Sequence, residues 1–395
     1  MMKKLFTLFI FSVLAICSLV SCSGEAFDID SVNKQTLLVM FPWSGSGSNA
    51  GLYGNITRNL ADIESAIVQN KGLKSTRVFV FISRSATESE LFELTYNSST
   101  FSVDHTPVDT YSDLSYTTTE GLTKLIGEVK DKAEALNYAL IIGGHGSGWT
   151  NKADWPSGQV KVRKGAPKSR FFGSANSTYG IDVPTLATAI EANGIKMQYI
   201  LFDACYMANV ETAYELRNAT NFLVASPNEI LTQGVPYSKL WSYLNTNAPS
   251  YASIVSTFCS SYAESETPYA SLAAIDCRQM DNLAAIMKEI NSKCTMTEER
   301  LKGVQREDGF IPSLFYDLGN YVDSLKPSGV LKDRFNTQLK ATVKASKSTE
   351  FVFAESLDGE IKVNDFSGLS ISDPSTHPVA LRGKEKTSWW KATHE

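Results

Sequence analysis

The segment MQYILFDACYM, from Met197 to Met207, decides the fold of this chain. Its apolar run, Tyr199 to Phe202, has the length and composition of a buried strand. Directly after this run come Asp203 and Cys205, at the point where the chain leaves a sheet and begins a helix. The segment therefore predicts a strand that presents a reactive thiol at its carboxyl end.

A second apolar run, Tyr138 to Gly146 (YALIIGGHG), ends in the same way and presents His145. Helical periodicity separates these and other short apolar runs, which predicts an α/β fold with a mostly parallel central sheet covered on both faces. Sites in such sheets lie beyond the carboxyl ends of the strands. We therefore expect His145 and Cys205 to meet at one edge of the sheet.

The bulk properties exclude several classes of function. The 395-residue chain has a net charge of −5 and a pI near 5.6, so it lacks the basic surplus that a nucleic-acid surface needs. No CxxC motif or His/Cys cluster has the spacing of metal ligands, and there are only four histidines. Neither nucleic acid nor a structural zinc ion is predicted as a partner.

The amino-terminal residues have the pattern of a targeting segment. Two lysines precede an apolar run from Leu5 to Val20, which is too short to span a membrane and typical of a secretory signal over residues 1–21. The sequence LVSC that ends at Cys22 resembles a bacterial lipoprotein processing site. We expect lipid on Cys22 and a tether over residues 22–35. The alternative is an ordinary signal peptide that happens to contain cysteines.

The remaining chain divides into two regions by pattern. Residues 36–276 carry the strand and helix alternation and are predicted to form the catalytic domain. Residues 277–395 are mainly helical in pattern, with short strands, and are predicted to form an α+β region packed on that domain. Between the histidine and cysteine strands lies a long loop, Ser147 to Tyr179, rich in Gly, Lys, Arg and Ser.

A glycine-rich loop suggests a different function. Gly45, Gly47 and Ala50 fit the pattern G-x-G-x-x-A between a strand and a helix, as in dinucleotide-binding proteins. That fingerprint also needs an acidic residue at the end of the second strand, where this chain has Ser83 and Arg84. An ordinary glycine and serine loop is the favoured interpretation.

The pair of strand ends supplies a nucleophile and an acid-base group. A thiol near an imidazole or a helix N-terminus is a strong nucleophile, and His145 can return a proton to a leaving amine. The backbone amides of Gly146 and Cys205 are candidates for an oxyanion hole. Each residue also has a simpler interpretation, since a buried cysteine is often only a small hydrophobic residue. Their matched placement favours catalysis.

The two motifs also resemble those of a known family. The segments His145 to Trp149 (HGSGW), Asp203 to Ala208 (DACYMA) and Gly368 to Ile371 (GLSI) are similar to the clostripain family, in the clan of caspases, legumains and gingipains. This resemblance implies a caspase-like α/β/α sandwich and a catalytic dyad of His145 and Cys205. It implies a cysteine endopeptidase that cleaves after Arg or Lys.

The resemblance implies acidic residues in the specificity pocket, and Asp203 matches one such position. Where relatives carry a second acidic residue, this chain has Gln233, and Glu229 is the candidate to replace it. Relatives also mature by cutting themselves in the loop between His and Cys, for which Lys161, Arg163 and Lys164 are candidate sites. The alternative is a solvated basic loop that is never cut.

The sequence taken together predicts a monomeric, lipid-anchored cysteine endopeptidase of the bacterial cell envelope, acting on proteins or peptides. Clostripain is linked with calcium, but no run of carboxylates here resembles a calcium loop, so no cofactor is predicted. A different class of function is a non-catalytic surface lipoprotein on the same fold that binds peptides or glycans. Cys259, Cys277 and Cys294 leave a disulfide open.

Overall fold

A central sheet runs through the molecule in a computed structural model that describes residues 33–43, 52–154 and 179–395. The strands in these residues are β1 (Gln35–Phe41), β2 (Thr76–Ser85), β3 (Glu88–Asn97), β4 (Ser102–Tyr111), β5 (Asn137–Gly143), β6 (Met197–Asp203), β7 (Thr220–Ala225), β8 (Ser271–Asp276), β9 (Tyr316–Asp317), β10 (Val343–Ser348), β11 (Phe351–Ala354), β12 (Gly359–Lys362) and β13 (Ser370–Ile371). Nine of them form the central sheet, in the order β10-β8-β7-β6-β5-β1-β2-β3-β4.

The middle of this sheet is parallel and its edges are antiparallel. Strands β7, β6, β5, β1 and β2 pair in parallel, and the remaining neighbours pair antiparallel. These five strands are near-continuous apolar runs because they are buried on both faces. The predicted α/β fold with a mostly parallel core is confirmed.

Helices cover both faces of the sheet. They are α1 (Tyr53–Gln69), α2 (Thr119–Lys132), α3 (Val183–Ala192), α4 (Val210–Glu215), α5 (Tyr237–Leu244), α6 (Tyr251–Ala263), α7 (Met280–Lys293), α8 (Glu298–Leu301), α9 (Leu318–Leu325), α10 (Gly329–Thr342), α11 (Pro378–Gly383) and α12 (Ser388–His394). Short 3-10 turns lie at Ser115–Thr117, Cys277–Gln279, Glu355–Leu357 and Lys384–Lys386.

Two hydrophobic clusters separate the two faces. Alternate residues of β1 divide between them, with Leu38 in one and Leu37 in the other, because side chains of a strand point to opposite sides. The first cluster contains the buried faces of α2, α3, α4 and α7. The second contains those of α1, α5 and α6. The result is an α/β/α sandwich.

Both edges of the sheet differ from the sequence prediction. Strand β4 was not predicted, because it lies at the edge, is mostly polar and contains Pro107, so no apolar run marks it. The sequence has a helical pattern from Leu331 to Ala345 and would place a helix there, but the helix stops at Thr342, and β10 then pairs antiparallel with β8. Pairing with a distant strand overrides the local helical pattern there.

Residues Asn33–Glu395 form one compact unit.

Several predictions fall on residues that the structure does not describe. These are the signal peptide over residues 1–21, the tether up to residue 32, with Cys22, and the glycine loop with Gly45, Gly47 and Ala50. The predicted end of the tether at residue 35 is wrong, because Gln35 is buried and already belongs to β1. Within the described ranges, no helix is both long and apolar enough to span a membrane. Cys259, Cys277 and Cys294 are free thiols, so no disulfide joins them.

Candidate active site

The tips of β5 and β6 lie side by side. In their parallel register Gly143 pairs with Asp203, and the Gly144 N–H donates to the Asp203 carbonyl oxygen at 3.2 Å. His145 lies two residues after Gly143, and Cys205 lies two residues after Asp203. The structure thus brings the two predicted residues to the same edge of the sheet.

Gly146 lies directly against the backbone of Cys205. A Cβ atom at residue 146 would be 2.3 Å from the Cys205 carbonyl oxygen and 2.7 Å from its nitrogen. Any other side chain would therefore push the two loops apart, and glycine is required by contact. Gly148 has a φ of +65°, and a Cβ there would be 2.8 Å from Nδ2 of Asn209. The histidine loop packs onto the cysteine loop through its glycines.

The thiol of Cys205 is buried, and it contacts the peptide of Ile230. The Ile230 N–H donates to Sγ at 3.2 Å, and Sγ lies 3.6 Å from the Ile230 carbonyl oxygen. An N–H donor favours the thiolate form of a cysteine. Burial raises the pKa of the Cys259 and Cys277 thiols to about 12, so those two are poor nucleophiles. Sequence reasoning did not find Ile230, because only the fold brings it to the sulfur.

The turn after the nucleophile is held in an unusual conformation. Tyr206 has a φ of +62°, in the left-handed region that residues with a side chain seldom adopt. Its hydroxyl donates to Oε1 of Glu229 at 2.5 Å, and its ring stacks on Phe315 at a centroid distance of 5.2 Å. Its N–H donates to the Asn228 carbonyl oxygen. These contacts stabilise the strained turn that carries Cys205.

The three predicted specificity residues have different surroundings. Asp203 is buried and accepts from the Val235 N–H and the Tyr237 hydroxyl, both at 3.1 Å. Glu229 is buried and accepts from Tyr206 and from the Glu355 N–H. Gln233 is exposed, and its amide donates to Thr267.

Each of these placements has a structural consequence. Asp203 ties the segment before α5 to the tip of β6, and Glu229 joins the cysteine turn to the segment after β11. Gln233, at the position where relatives carry the second acidic residue, binds Thr267 on the surface. Roles of the three in specificity remain predictions, and the candidate cleavage sites Lys161, Arg163 and Lys164 lie outside the described residues.

A segment near the carboxyl end joins the two loops. The indole N–H of Trp149, four residues after His145, donates to Oγ of Ser372 at 2.9 Å. The Ser372 N–H donates in turn to Oε1 of Glu211, on α4, at 2.8 Å. Ser372 directly follows β13, which belongs to the GLSI motif. Ser372 therefore links the loop that carries His145 to α4, the helix that follows Cys205.

Glu211 is buried beside a second carboxyl group. Burial and the neighbouring Asp373 carboxylate raise the pKa of Glu211 to about 8, although Lys384 partly opposes this. Burial likewise raises the pKa of Asp373 to about 7. Oε2 of Glu211 has no hydrogen-bond partner among the described residues, which suits a protonated carboxyl group at neutral pH.

Titration of Glu211 should make the fold less stable as pH rises. Its pKa in the fold, about 8, lies above its ordinary value of 4.5, so its contribution to stability is full below pH 4.5 and lost above pH 8. One proton changes the free energy of unfolding by up to about 1.4 kcal/mol per pH unit. We expect the free energy of unfolding, measured with urea, to decline less between pH 6 and pH 8 in Glu211→Gln than in the parent.

The matched control for this measurement is Glu191→Gln, which changes an exposed carboxylate on α3. Gln at residue 211 keeps the acceptor for the Ser372 N–H, so the hydrogen bond itself is preserved. Asp373 continues to titrate in both proteins. An unchanged slope in Glu211→Gln would contradict the assigned protonation.

Comparison with known proteins identifies the family. The model of the clostripain family matches residues 46–349, which is more than half of the chain. The chain belongs to the clostripain family. A search of curated proteins gave no significant match.

Solved structures of clostripain-family enzymes resemble this chain. A secreted cysteine protease of Bacteroides thetaiotaomicron, iotapain, is 39% identical with a TM-score of 0.83, over 92% of this chain and 100% of that chain. A clostripain of the same species, in complex with the peptide inhibitor BTN-VLTK-AOMK, is 45% identical with a TM-score of 0.55, over 57% of this chain and 99% of that chain. An inactive zymogen from Parabacteroides distasonis is 24% identical with a TM-score of 0.75, over 91% of this chain and 98% of that chain. At this identity the similarity supports the fold alone.

Membership of the clostripain family makes this chain a cysteine peptidase, a hydrolase of protein or peptide substrates. The sequence prediction of family and enzyme class is confirmed. Among residues 33–43, 52–154 and 179–395, no group of three or more His, Cys, Asp or Glu is arranged to hold a metal ion. The strand tips and the residues that follow them present a thiol, an imidazole, backbone amides and the Asp203 carboxylate.

Proposed function

We propose that this chain is an endopeptidase in which Cys205 and His145 form the catalytic dyad and cleavage follows a Lys or Arg residue. The observation that carries the proposal is the backbone contact of Gly146 with Cys205. It holds the histidine and cysteine loops together at the carboxyl edge of a parallel sheet. Nucleophilic catalysis by a thiol needs an imidazole within reach of the sulfur, and joining the two loops brings the residues that carry these groups together.

The reaction uses groups that these loops supply. His145 takes the thiol proton of Cys205, Sγ attacks the peptide carbonyl carbon, and the amides of Gly146 and Cys205 donate to the developing oxyanion. His145 gives a proton to the leaving amine, which departs and leaves a thioester. Water, with its proton taken by His145, then hydrolyses the thioester. The Ile230 peptide contacts Sγ in this structure, so the substrate carbonyl must displace that contact.

Specificity for a basic residue has two supports. The 45% identical clostripain was solved with an inhibitor whose sequence ends in lysine. Asp203 places a buried carboxylate two residues before the nucleophile, on the strand tip that carries it. An anion in a buried position attracts a substrate cation more strongly than one in water.

Maturation and location form part of the same proposal. We infer self-cleavage at Lys161, Arg163 or Lys164, because basic residues in this loop match the proposed specificity. The 39% identical relative is a secreted protease, which agrees with a signal peptide over residues 1–21. The LVSC sequence supports a lipid anchor at Cys22 and a monomeric enzyme tethered at the cell envelope.

The specificity proposal is tested by Asp203→Asn. Asn fits the same contacts, because Oδ1 can accept from the Val235 N–H and Nδ2 can donate to the Tyr237 oxygen. We expect kcat/KM for a lysyl substrate to fall by about 10²-fold, while the value for the uncharged norleucyl analogue falls far less. Fluorogenic peptides that differ only at this residue give the two values.

Asp276→Asn is the matched control, since it neutralises a buried carboxylate that pairs with Phe222, near the start of β7, and so lies toward the opposite edge of the sheet from Cys205. Equal losses for lysyl and norleucyl substrates in Asp203→Asn would assign Asp203 a structural role only. A parent enzyme that cleaves norleucyl peptides as fast as lysyl peptides would overturn basic specificity altogether.

A further inference from the structure

A cavity of about 90 Å³ lies beside His145 and is bordered by Phe202, Ala204 and Met207, which flank Cys205 in the sequence. Its walls are mainly apolar, and the residues that matter here are Trp43, Ile142, His145, Ile181, Phe202 and Met207. One end is polar, where the Asp182 carboxylate accepts from the Lys152 N–H at 2.9 Å. Asp182 lies at the N-cap position of α3 but makes no capping hydrogen bond with its side chain. The cavity suits an apolar side chain.

The cavity lies on the opposite side of the sheet from Asp203. Phe202 and Met207 belong to the hydrophobic cluster of α2 and α3, whereas Cys205 belongs to the cluster of α5 and α6. Asp203 also points to the α5 side, because its carboxylate accepts from Tyr237. A lysine directed to Asp203 and a side chain in the cavity would thus leave the substrate backbone in opposite directions.

An extended peptide has this geometry. Successive side chains of an extended chain point to opposite faces, so the residues before and after the scissile bond point apart. The cavity is lined by His145, the group that protonates the leaving amine, and that amine nitrogen belongs to the residue after the scissile bond. The side chain of this residue is attached to the carbon that is bonded to this nitrogen, so it starts close to the atom that His145 protonates.

We propose that this cavity binds the side chain of the substrate residue that follows the scissile bond, and that it selects large apolar side chains. The inference rests on the proposed function, since it assumes attack by Cys205 and proton donation by His145. It extends that function to the leaving-group side, where cleavage specificity would depend on an apolar residue as well as on the preceding basic one.

Quenched fluorescent peptides test this preference. The set has a fixed lysine before the scissile bond and Leu, Phe, Ala, Gly or Asp after it. We expect kcat/KM to be at least about tenfold higher for Leu or Phe than for Gly, and lowest for Asp, because the walls are mainly apolar and burial of a carboxylate against them costs free energy. Equal values across the set would overturn the inference.

Changing the cavity should change the preference. Ile181 is half-buried in its wall, before α3, so Ile181→Trp fills part of the space. We expect the ratio of kcat/KM for Leu to that for Gly to fall about fivefold or more. Val330→Trp, at a side chain that is 75% exposed in α10, is the control and should keep the parent ratio. Ile181→Ala enlarges the cavity and should raise the ratio of Phe to Leu, which gives a second test if the tryptophan variant does not fold.

The outcomes separate this inference from the proposed function. A parent enzyme that cleaves after lysine with no dependence on the following residue retains the function and loses the inference. A shift caused by Ile181→Trp in preference for the residue before the lysine would place the cavity on the other side of the scissile bond and also overturn it. A parent enzyme that cleaves no member of the set would overturn both.

Discussion

Replacing Cys205 by alanine is expected to lower kcat/KM for lysyl and arginyl peptides by at least about 10³-fold, because the variant has no nucleophile to form the thioester. His145→Ala should cost a similar factor, and the double variant should be little worse than either, since the two residues act in one step. Initial rates with fluorogenic peptides, at matched protein concentration, provide the measurement.

Cys277→Ala is the matched control for this variant. Cys277 is also buried and follows a strand of the same sheet, but burial raises the pKa of its thiol to about 12, so it should remain unreactive. We expect Cys277→Ala to retain activity and an acyloxymethyl ketone that ends in lysine to label Cys205 alone. Parent-like hydrolysis by Cys205→Ala would contradict the proposed mechanism.

The same variant reports on maturation. If the chain cuts its own loop, the intact mass of the parent should reveal cleavage between Trp149 and Tyr179 after incubation, and Cys205→Ala should stay whole. Cleavage of the inactive variant in isolation would assign the cut to another protease. A parent that remains whole with full activity would rule out maturation in this loop.

The second large effect is expected from Gly146→Ala. The added Cβ would lie 2.3 Å from the Cys205 carbonyl oxygen, so the histidine and cysteine loops must separate. A displacement of this kind moves the imidazole and the Gly146 amide relative to Sγ, and a shift of about 1 Å can cost 10²-fold in rate. We expect kcat/KM to fall by about that factor or more, while circular dichroism shows that the sheet and helices are retained.

Gly54→Ala is the control, because a Cβ at that position in α1 meets nothing within 4 Å. It should keep the parent kcat/KM, and alanine is also the better helix former. Full activity in Gly146→Ala would show that the loops tolerate separation and that the contact does not set the catalytic geometry.

Local pattern was enough to predict the centre of the fold. The apolar runs of β5 and β6 are buried on both faces, so their composition alone marks them as strands, and the groups at their ends follow from parallel topology. The edges could not be predicted in this way. Strand β4 has no apolar pattern, and β10 exists because β8 offers it a partner.

The sequence by itself determined that a histidine and a cysteine lie at adjacent strand ends, because burial fixes the strands and the alternation with helices fixes their direction. Only the tertiary structure decided what surrounds them. Ile230 reaches Sγ from 25 residues away, and Ser372 joins Trp149 to Glu211 across more than 160 residues. Such contacts depend on how distant segments pack together, and no local periodicity records that packing.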